Sequence, residues 1–172
     1  LARLESEDQE PVPMEPLFVH EVLHDSLELC RVRAEERNMT LELAADSQLT
    51  AFANRRLLEQ AVVNLIDNAV KYSDPGKTIR VSAERRGRWA EITVADEGWG
   101  IESRHLPRIF ERFYRVDPGR SRELGGTGLG LSIVKHIMQV HHGEVDVEST
   151  LGKGSVFRLR LPVASGDSPD AA

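Results

Sequence analysis

The chain has a single cysteine, Cys30, among 172 residues, so no internal disulfide is available and a reducing compartment fits. It has no apolar run near the ~20 residues that span a bilayer; neither a membrane crossing nor membrane contact is expected of it. Its opening stretch, LARLESEDQE, lacks an apolar h-region and a cleavage site and does not read as a signal peptide. Basic charge is not in excess either. The net charge of −6 argues against a surface that neutralises nucleic-acid phosphates. What is present is 40% hydrophobic and 29% charged residues, the composition of a globular domain large enough to bury a core.

Residues 1–16 read as the end of an upstream helix, marked by Leu1 and Leu4, followed by a linker. Pro11, Pro13 and Pro16 are incompatible with a helix interior there. Residues 17–163 read as one domain, and 164–172, ASGDSPDAA, as a disordered tail. Val22, Leu23, Ser26, Leu27, Leu29 and Ala34 recur near helical spacing, which predicts a helix from Val19 to about Arg37. Short strands are expected at Leu41–Leu43 and Leu49–Phe52. Asn54 is the expected N-cap of a second helix running to about Tyr72. Thr78–Glu84 and Trp89–Ala95 alternate apolar and polar around RRGR and predict a hairpin.

A long glycine-rich stretch follows, with a lid expected over about 97–128. A third helix, Leu131–Val140, and two strands, Glu144–Ser149 and Ser155–Leu161, complete the pattern. That order implies an α+β fold: a two-layer sandwich with a mixed sheet of about five strands and about three helices on one face.

Three separated elements carry chemistry. In NLIDNAVKYS, Asn64 and Asn68 stand four apart and share a helix face. Two neutral amides there can offer oxygens to a hard cation such as Mg²⁺ held mainly by phosphate and water, and Lys71 reaches toward the same phosphates. In DEGWGI, Asp96 ends a strand and is followed by Gly98 and Gly100, giving a fixed acceptor beside a closely approachable backbone, suited to an exocyclic amine. GGTGLGL, Gly125–Leu131, opens a helix, where inward-turned N–H groups and the helix N-terminus suit phosphate. It is neither the dinucleotide fingerprint, lacking a βαβ unit, nor a P-loop, lacking Gly-Lys-Ser/Thr.

In this order the elements resemble the N, G1 and G2 boxes of the histidine-kinase ATPase family, whose Bergerat-type nucleotide fold is shared with type II topoisomerase, heat-shock chaperone and mismatch-repair ATPases. RIFERFYR, Arg108–Arg115, falls where those kinases carry an F box. The resemblance covers roughly residues 18–162 and implies roles. Asn68 would hold Mg²⁺ with Asn64 assisting, Lys71 and Arg115 would contact phosphate, and Tyr72 would pack beside adenine. Asp96 would accept from the adenine amine, with Gly98, Gly100 and Ile101 shaping the pocket. Gly126, Thr127, Gly128, Leu129, Gly130 and Leu131 would close over the triphosphate. Ser155 would place a hydroxyl near Asp96, and Phe110 and Phe113 would anchor the lid, with Gly98, Gly100, Gly119, Gly125 and Gly126 as its hinges.

Asn64 stands where hydrolysing relatives have a glutamate that activates water, and an amide cannot serve as that base. The resemblance therefore implies ATP-dependent phosphoryl transfer to a protein, carried by Asn64, Lys71 and Arg115. The acceptor histidine is expected on an upstream dimerisation domain, for relay to a response-regulator aspartate. The fragment is expected to be a monomer, and its parent a homodimer anchored in the inner membrane with this domain in the cytoplasm. Two positions depart from the pattern: Trp99 is bulky for the G1 box, and Asn54 stands where an aspartate is common.

Three rival readings remain. His20-Glu21-Val22-Leu23-His24 matches HExxH, in which two histidines one turn apart ligate zinc, but it marks no third ligand and leaves the boxes unexplained. A regulatory module that only senses nucleotide, and an anti-sigma-factor kinase acting on serine, keep the fold and change the function. His141 and His142 read as helix-end residues favoured by the dipole.

Overall fold

A computed structural model describes residues 10–164; the helix end expected at Leu1 and Leu4 and the tail beyond Ala164 lie outside them. In chain order the elements are β1 (Glu15–Phe18), α1 (Val19–Glu36), β2 (Thr40–Ala45), β3 (Thr50–Ala53), α2 (Arg55–Lys71), β4 (Thr78–Arg86) and β5 (Trp89–Asp96), then a 3-10 turn (Ser103–His105), α3 (Pro118–Glu123), α4 (Gly130–Val140), β6 (Glu144–Thr150) and β7 (Gly154–Pro162).

Helix α1 buries Val19, Val22, Leu23, Ser26, Leu27, Cys30 and Ala34, the stripe that the spacing predicts, but Leu29 falls outside it and is exposed. In α2 the side chain of Asn54 accepts from the Leu57 N–H at 3.0 Å, a cap worth about 1 kcal/mol. Leu58, Ala61, Val62, Leu65, Ile66, Ala69 and Val70 are buried, while Asn64 and Asn68, half-buried, fall on a flank of the helix beside that stripe.

Five strands form a mixed sheet in the order β2-β4-β5-β7-β6. Strand β2 runs parallel to β4, and every other pair is antiparallel. Helices α1, α2 and α4 share one face with a continuous apolar core, while ion pairs such as Arg160–Glu91 at 2.9 Å and Arg80–Glu42 at 3.0 Å ladder the other. The expected α+β sandwich is what the chain forms. Among the described residues no helix is long and apolar enough to cross a membrane.

Four local expectations differ. Glu15 and Pro16, read as linker, belong to β1, which pairs antiparallel with β3 as a separate two-stranded sheet; proline is tolerated there because an edge strand can spare an N–H. Half of the RRGR loop is strand: β4 continues through Arg86, and Gly87, at φ +61°, and Arg88 make the turn. The irregular stretch contains the short helix α3, capped by Asp117, which accepts from the Gly119 and Arg120 N–H groups. His141 stands at the C-cap of α4, as a helix-end residue should, but it is also buried and does more than cap. Its Nδ1–H donates to the Ile137 carbonyl at 2.7 Å, and its Nε2 accepts from the Asn54 N–H at 3.0 Å, tying the end of α4 to the start of α2.

Candidate functional site

Between α2, the ends of β5 and β7, and the segment from Glu97 to Leu129 lies a cavity of about 460 Å³, within the size range of small-molecule sites. Three stretches far apart in sequence converge on it. From α2 come Asn64, Asn68, Lys71 and Tyr72; from the end of β5 and the loop after it, Asp96, Gly100 and Ile101; from the loop before α4 and its first residues, Gly126, Thr127, Gly128, Leu129, Gly130 and Leu131. Arg115 and Ser155 also line it. Of the residues expected to bind nucleotide or metal, Gly98 alone is absent from the wall; of the lid anchors and hinges, Phe110, Phe113, Gly119 and Gly125 are also outside it.

Asp96 ends β5 opposite Ser155 on β7. Its Oδ1 accepts from the Gly98 N–H at 2.8 Å and the Ser155 N–H at 3.2 Å, so Oδ2 is the oxygen left for a further donor. Burial raises its pKa, and the two N–H groups oppose that rise. Ser155 therefore reaches Asp96 through its backbone, while its hydroxyl meets Ser149 Oγ at 2.8 Å. Ser149 also accepts from the Ile101 N–H at 2.8 Å and so fixes the loop after β5. Sequence reasoning missed this serine, which carries no motif and is placed by strand pairing alone.

Gly98 is required by close approach: a Cβ there would collide with the Tyr72 carbonyl oxygen and crowd Asp96 Oδ1 and Ser73 Oγ. Gly100 is equally confined, against the Thr150 carbonyl. Neither position has room for a side chain. The hydrogen-bonded edge of the lid is elsewhere. Phe113 donates its N–H to the Gly128 carbonyl at 2.9 Å, and Gly128, at φ +74°, packs its α-carbon on the Phe113 backbone. Phe110 anchors as expected, edge-on to Phe157 at 6.3 Å. Phe113 does not anchor by burial; the residue is 68% exposed.

Lys71 and Tyr72 end α2 at the cavity. Asn64 Nδ2 donates weakly to the Gly130 carbonyl at 3.4 Å, and the Arg115 guanidinium bonds the Gly126 carbonyl, so both engage the loop that opens α4. That helix starts with no side-chain cap, which leaves its first N–H groups to a partner of another kind. Sequence reasoning also missed Asp67 and Arg120. Asp67 lines the cavity and pairs with Arg33 at 2.8 Å; Arg120 lines it from α3. Only the Asp-Pro cap of α3 could have signalled the latter.

The HExxH segment is organised otherwise than a metal site. Glu21 faces Arg55 at 3.4 Å, and among the described residues no group of three or more His, Cys, Asp or Glu side chains is placed to hold a metal.

Residues 53–165 match the family model described as histidine kinase-, DNA gyrase B- and HSP90-like ATPase. The sensor-like histidine kinase SenX3 of Mycobacterium tuberculosis is 39% identical over 162 residues, 94% of this chain and 39% of SenX3. Among solved structures, the mycobacterial sensor histidine kinase MprB aligns at TM-score 0.75 and 31% identity, over 88% of this chain and 98% of that one. Full-length ShkA, solved in complex with AMPPNP, aligns at TM-score 0.80 and 29% identity, over 92% of this chain and 33% of ShkA. The chain spans about two fifths of the length of SenX3. The resemblance drawn from the four boxes is borne out by these matches.

Proposed function

Because the chain belongs to the histidine kinase-, DNA gyrase B- and HSP90-like ATPase family, we propose that it is the ATP-binding catalytic domain of a sensor histidine kinase, transferring the γ-phosphoryl group of ATP to a histidine on a separate dimerisation domain. The observation that carries this reading is the convergence of Asn64 and Asn68, Asp96, and the uncapped N-terminus of α4 on one cavity. Their chemistry differs in the way a nucleotide requires. Asp96, with Oδ1 already held, offers Oδ2 to the adenine amine. Tyr72 lies beside that end. At the other end, first-turn N–H groups, Lys71 and the glycine loop suit anionic oxygens.

The donor set also fits Mg²⁺. Asn68, with Asn64 beside it, provides neutral amide oxygens of the kind a hydrated, phosphate-bound Mg²⁺ accepts. Bound there, Mg²⁺ would neutralise charge on the phosphate oxygens. Every other contribution belongs to the chain: Lys71 and Arg115 supply positive charge, the lid excludes water, and Asp96 fixes the base. Asn64 cannot take a proton from water, so hydrolysis is slow and the phosphoryl group waits for a protein acceptor.

The reading extends to the parent protein, a membrane-anchored homodimer that passes the group on to a response-regulator aspartate. The test mixes this chain, radiolabelled ATP and a separately expressed dimerisation hairpin of the parent. Acid-labile label on the hairpin alone is the expected result. Rapid hydrolysis without a partner, or strong labelling of this chain by itself, overturns the division of labour.

A further inference from the structure

We propose that Trp99 is a positioning residue for the lid, a fixed aromatic face on which Arg120 stacks to hold α3 across the mouth of the cavity and slow the escape of a bound nucleotide. The inference rests on the nucleotide reading and adds to it a residue that the box pattern does not contain.

Trp99 is held from three sides. Its N–H donates to the Tyr72 carbonyl at 2.9 Å, and its carbonyl accepts from the Gly152 N–H at 2.7 Å. Its indole Nε1–H donates to Asp74 Oδ1 at 2.8 Å. The Tyr72 ring meets it edge-on with centroids 6.2 Å apart. All of these partners belong to the rigid side of the site. An indole fixed at its backbone and its N–H edge presents its face with little rotamer freedom left to lose. The carboxylate on that edge pushes electron density into the ring and strengthens its attraction for a cation.

The cation comes from the lid. Arg120 places its guanidinium carbon 3.4 Å from the centre of the Trp99 ring. Among the described residues no carboxylate pairs with Arg120, so the ring is its partner. Asp117, capping α3 through the Gly119 and Arg120 N–H groups, fixes the backbone from which the side chain reaches out. Trp99, Asp117 and Arg120 all line the cavity. With the stack formed the cavity measures about 460 Å³, so the contact leaves room for an occupant and acts as a closure behind it. Its position also accounts for the bulk that sets Trp99 apart from an ordinary G1 box.

The test uses the full chain in a Trp89→Phe background, so that Trp99 is the only tryptophan. In the nucleotide-free protein, Arg120→Gln should make Trp99 fluorescence more readily quenched by acrylamide. Dissociation of a fluorescent ATP analogue, followed by stopped flow, should quicken about two- to fivefold in Trp99→Leu and in Arg120→Gln, the size of an exposed cation–π contact. The double variant should dissociate no faster than either single one, and Trp99→Phe and Arg120→Lys should recover part of the loss. Dissociation unchanged in both single variants, or additive in the double, overturns the latch. So does acceleration in Arg120→Gln without any in Trp99→Leu, which would make Arg120 a phosphate contact instead. If the parent chain binds no nucleotide at all, the nucleotide reading has failed, and the acrylamide measurement still reports whether the stack exists.

Discussion

The floor of the site and its lid are built on opposite principles. On the floor, formed by α2 and the ends of β5 and β7, polar groups are held by backbone that secondary structure has already fixed. Asp96 Oδ1 takes two N–H groups, and Ser149 locks the neighbouring loop. Residues 98–101 are tied to that floor by the Trp99 and Ile101 N–H groups; in the lid beyond them, from Glu102 to Leu129, the regular structure is one 3-10 turn and the six-residue helix α3, tied down by single contacts such as Phe113 N–H to the Gly128 carbonyl. Few buried contacts and exposed backbone mark a segment that opens locally at low cost. Recognition therefore belongs to the floor and timing to the lid.

Substitutions on the floor should cost affinity most. Asn68→Ala removes the amide that would meet Mg²⁺ and should weaken Mg²⁺-dependent binding of an ATP analogue about 10- to 100-fold, the range for a hydrogen bond to a charged group. Isothermal titration with and without Mg²⁺ checks it. Equal loss in both conditions would detach Asn68 from the metal, and no loss would move recognition off the floor.

Asp96→Asn separates binding from stability. Burial raises the pKa of Asp96 above its ordinary 3.8, so the folded state favours its protonated form. The stability this gives is complete below pH 3.8 and is lost as pH rises through the higher folded value. At neutral pH the ionised side chain is a net cost. An asparagine keeps an oxygen for the Gly98 and Ser155 N–H groups and removes that cost. The variant should lose ATP affinity by about 1–3 kcal/mol, yet melt no lower than the parent at pH 7 in the absence of nucleotide. A clear fall in Tm at pH 7 would show that the charge stabilises the floor. ATP and GTP binding equally to the parent would show that Asp96 does not read the base.

A glycine pair sharpens the contrast further. Gly98→Ala places a methyl against the Tyr72 carbonyl and should cost about 1–3 kcal/mol of global stability. Gly125→Ala, in the lid at φ +75° with nothing within 4 Å of its Cβ, is strained only in its backbone, and local opening relieves it. Its thermal midpoint should barely move. Comparable shifts in the two variants would mean that the lid folds cooperatively with the floor.

The same division decided what could be read from sequence. On the floor, chemistry coincides with period. The apolar stripe of α2 fixes which way Asn64 and Asn68 point, and the alternation of β5 ends on Asp96, so the residues and their setting were legible together. The strand pairing that brings Ser149 and Ser155 to Asp96 is long-range and leaves no local signature. Beyond β5, glycines marked where the backbone bends, but not which of them are packed. Gly98 and Gly100 look like hinges in sequence and are confined by carbonyls in space. Pro16 misled in the same way, because a proline excludes helix but not an edge strand. His141 gave no sign of its second partner, the Asn54 N–H at the start of α2, 87 residues away in the chain.

Thiol chemistry tests the contrast with the smallest perturbation. Cys30 lies fully buried on α1, its Sγ 3.9 Å from Asp67 Oδ1. Burial first, and the Asp67 charge next, push its pKa up to about 12. The thiolate is the reactive species, so at pH 8 the native thiol has almost none and no access to reagent either. Native protein should remain unlabelled by a disulfide reagent over a time in which urea-unfolded protein reacts completely. A lid cysteine should behave oppositely. In a Cys30→Ala background, Val116→Cys, at a position 43% exposed and lining the cavity, should react at a rate near that of a free thiol, and ATP with Mg²⁺ should slow it. If Cys30 reacts as fast as the lid cysteine, the α1–α2 core that supports the floor opens as readily as the lid. If nucleotide protects neither, closure of the lid is not coupled to the site beneath it.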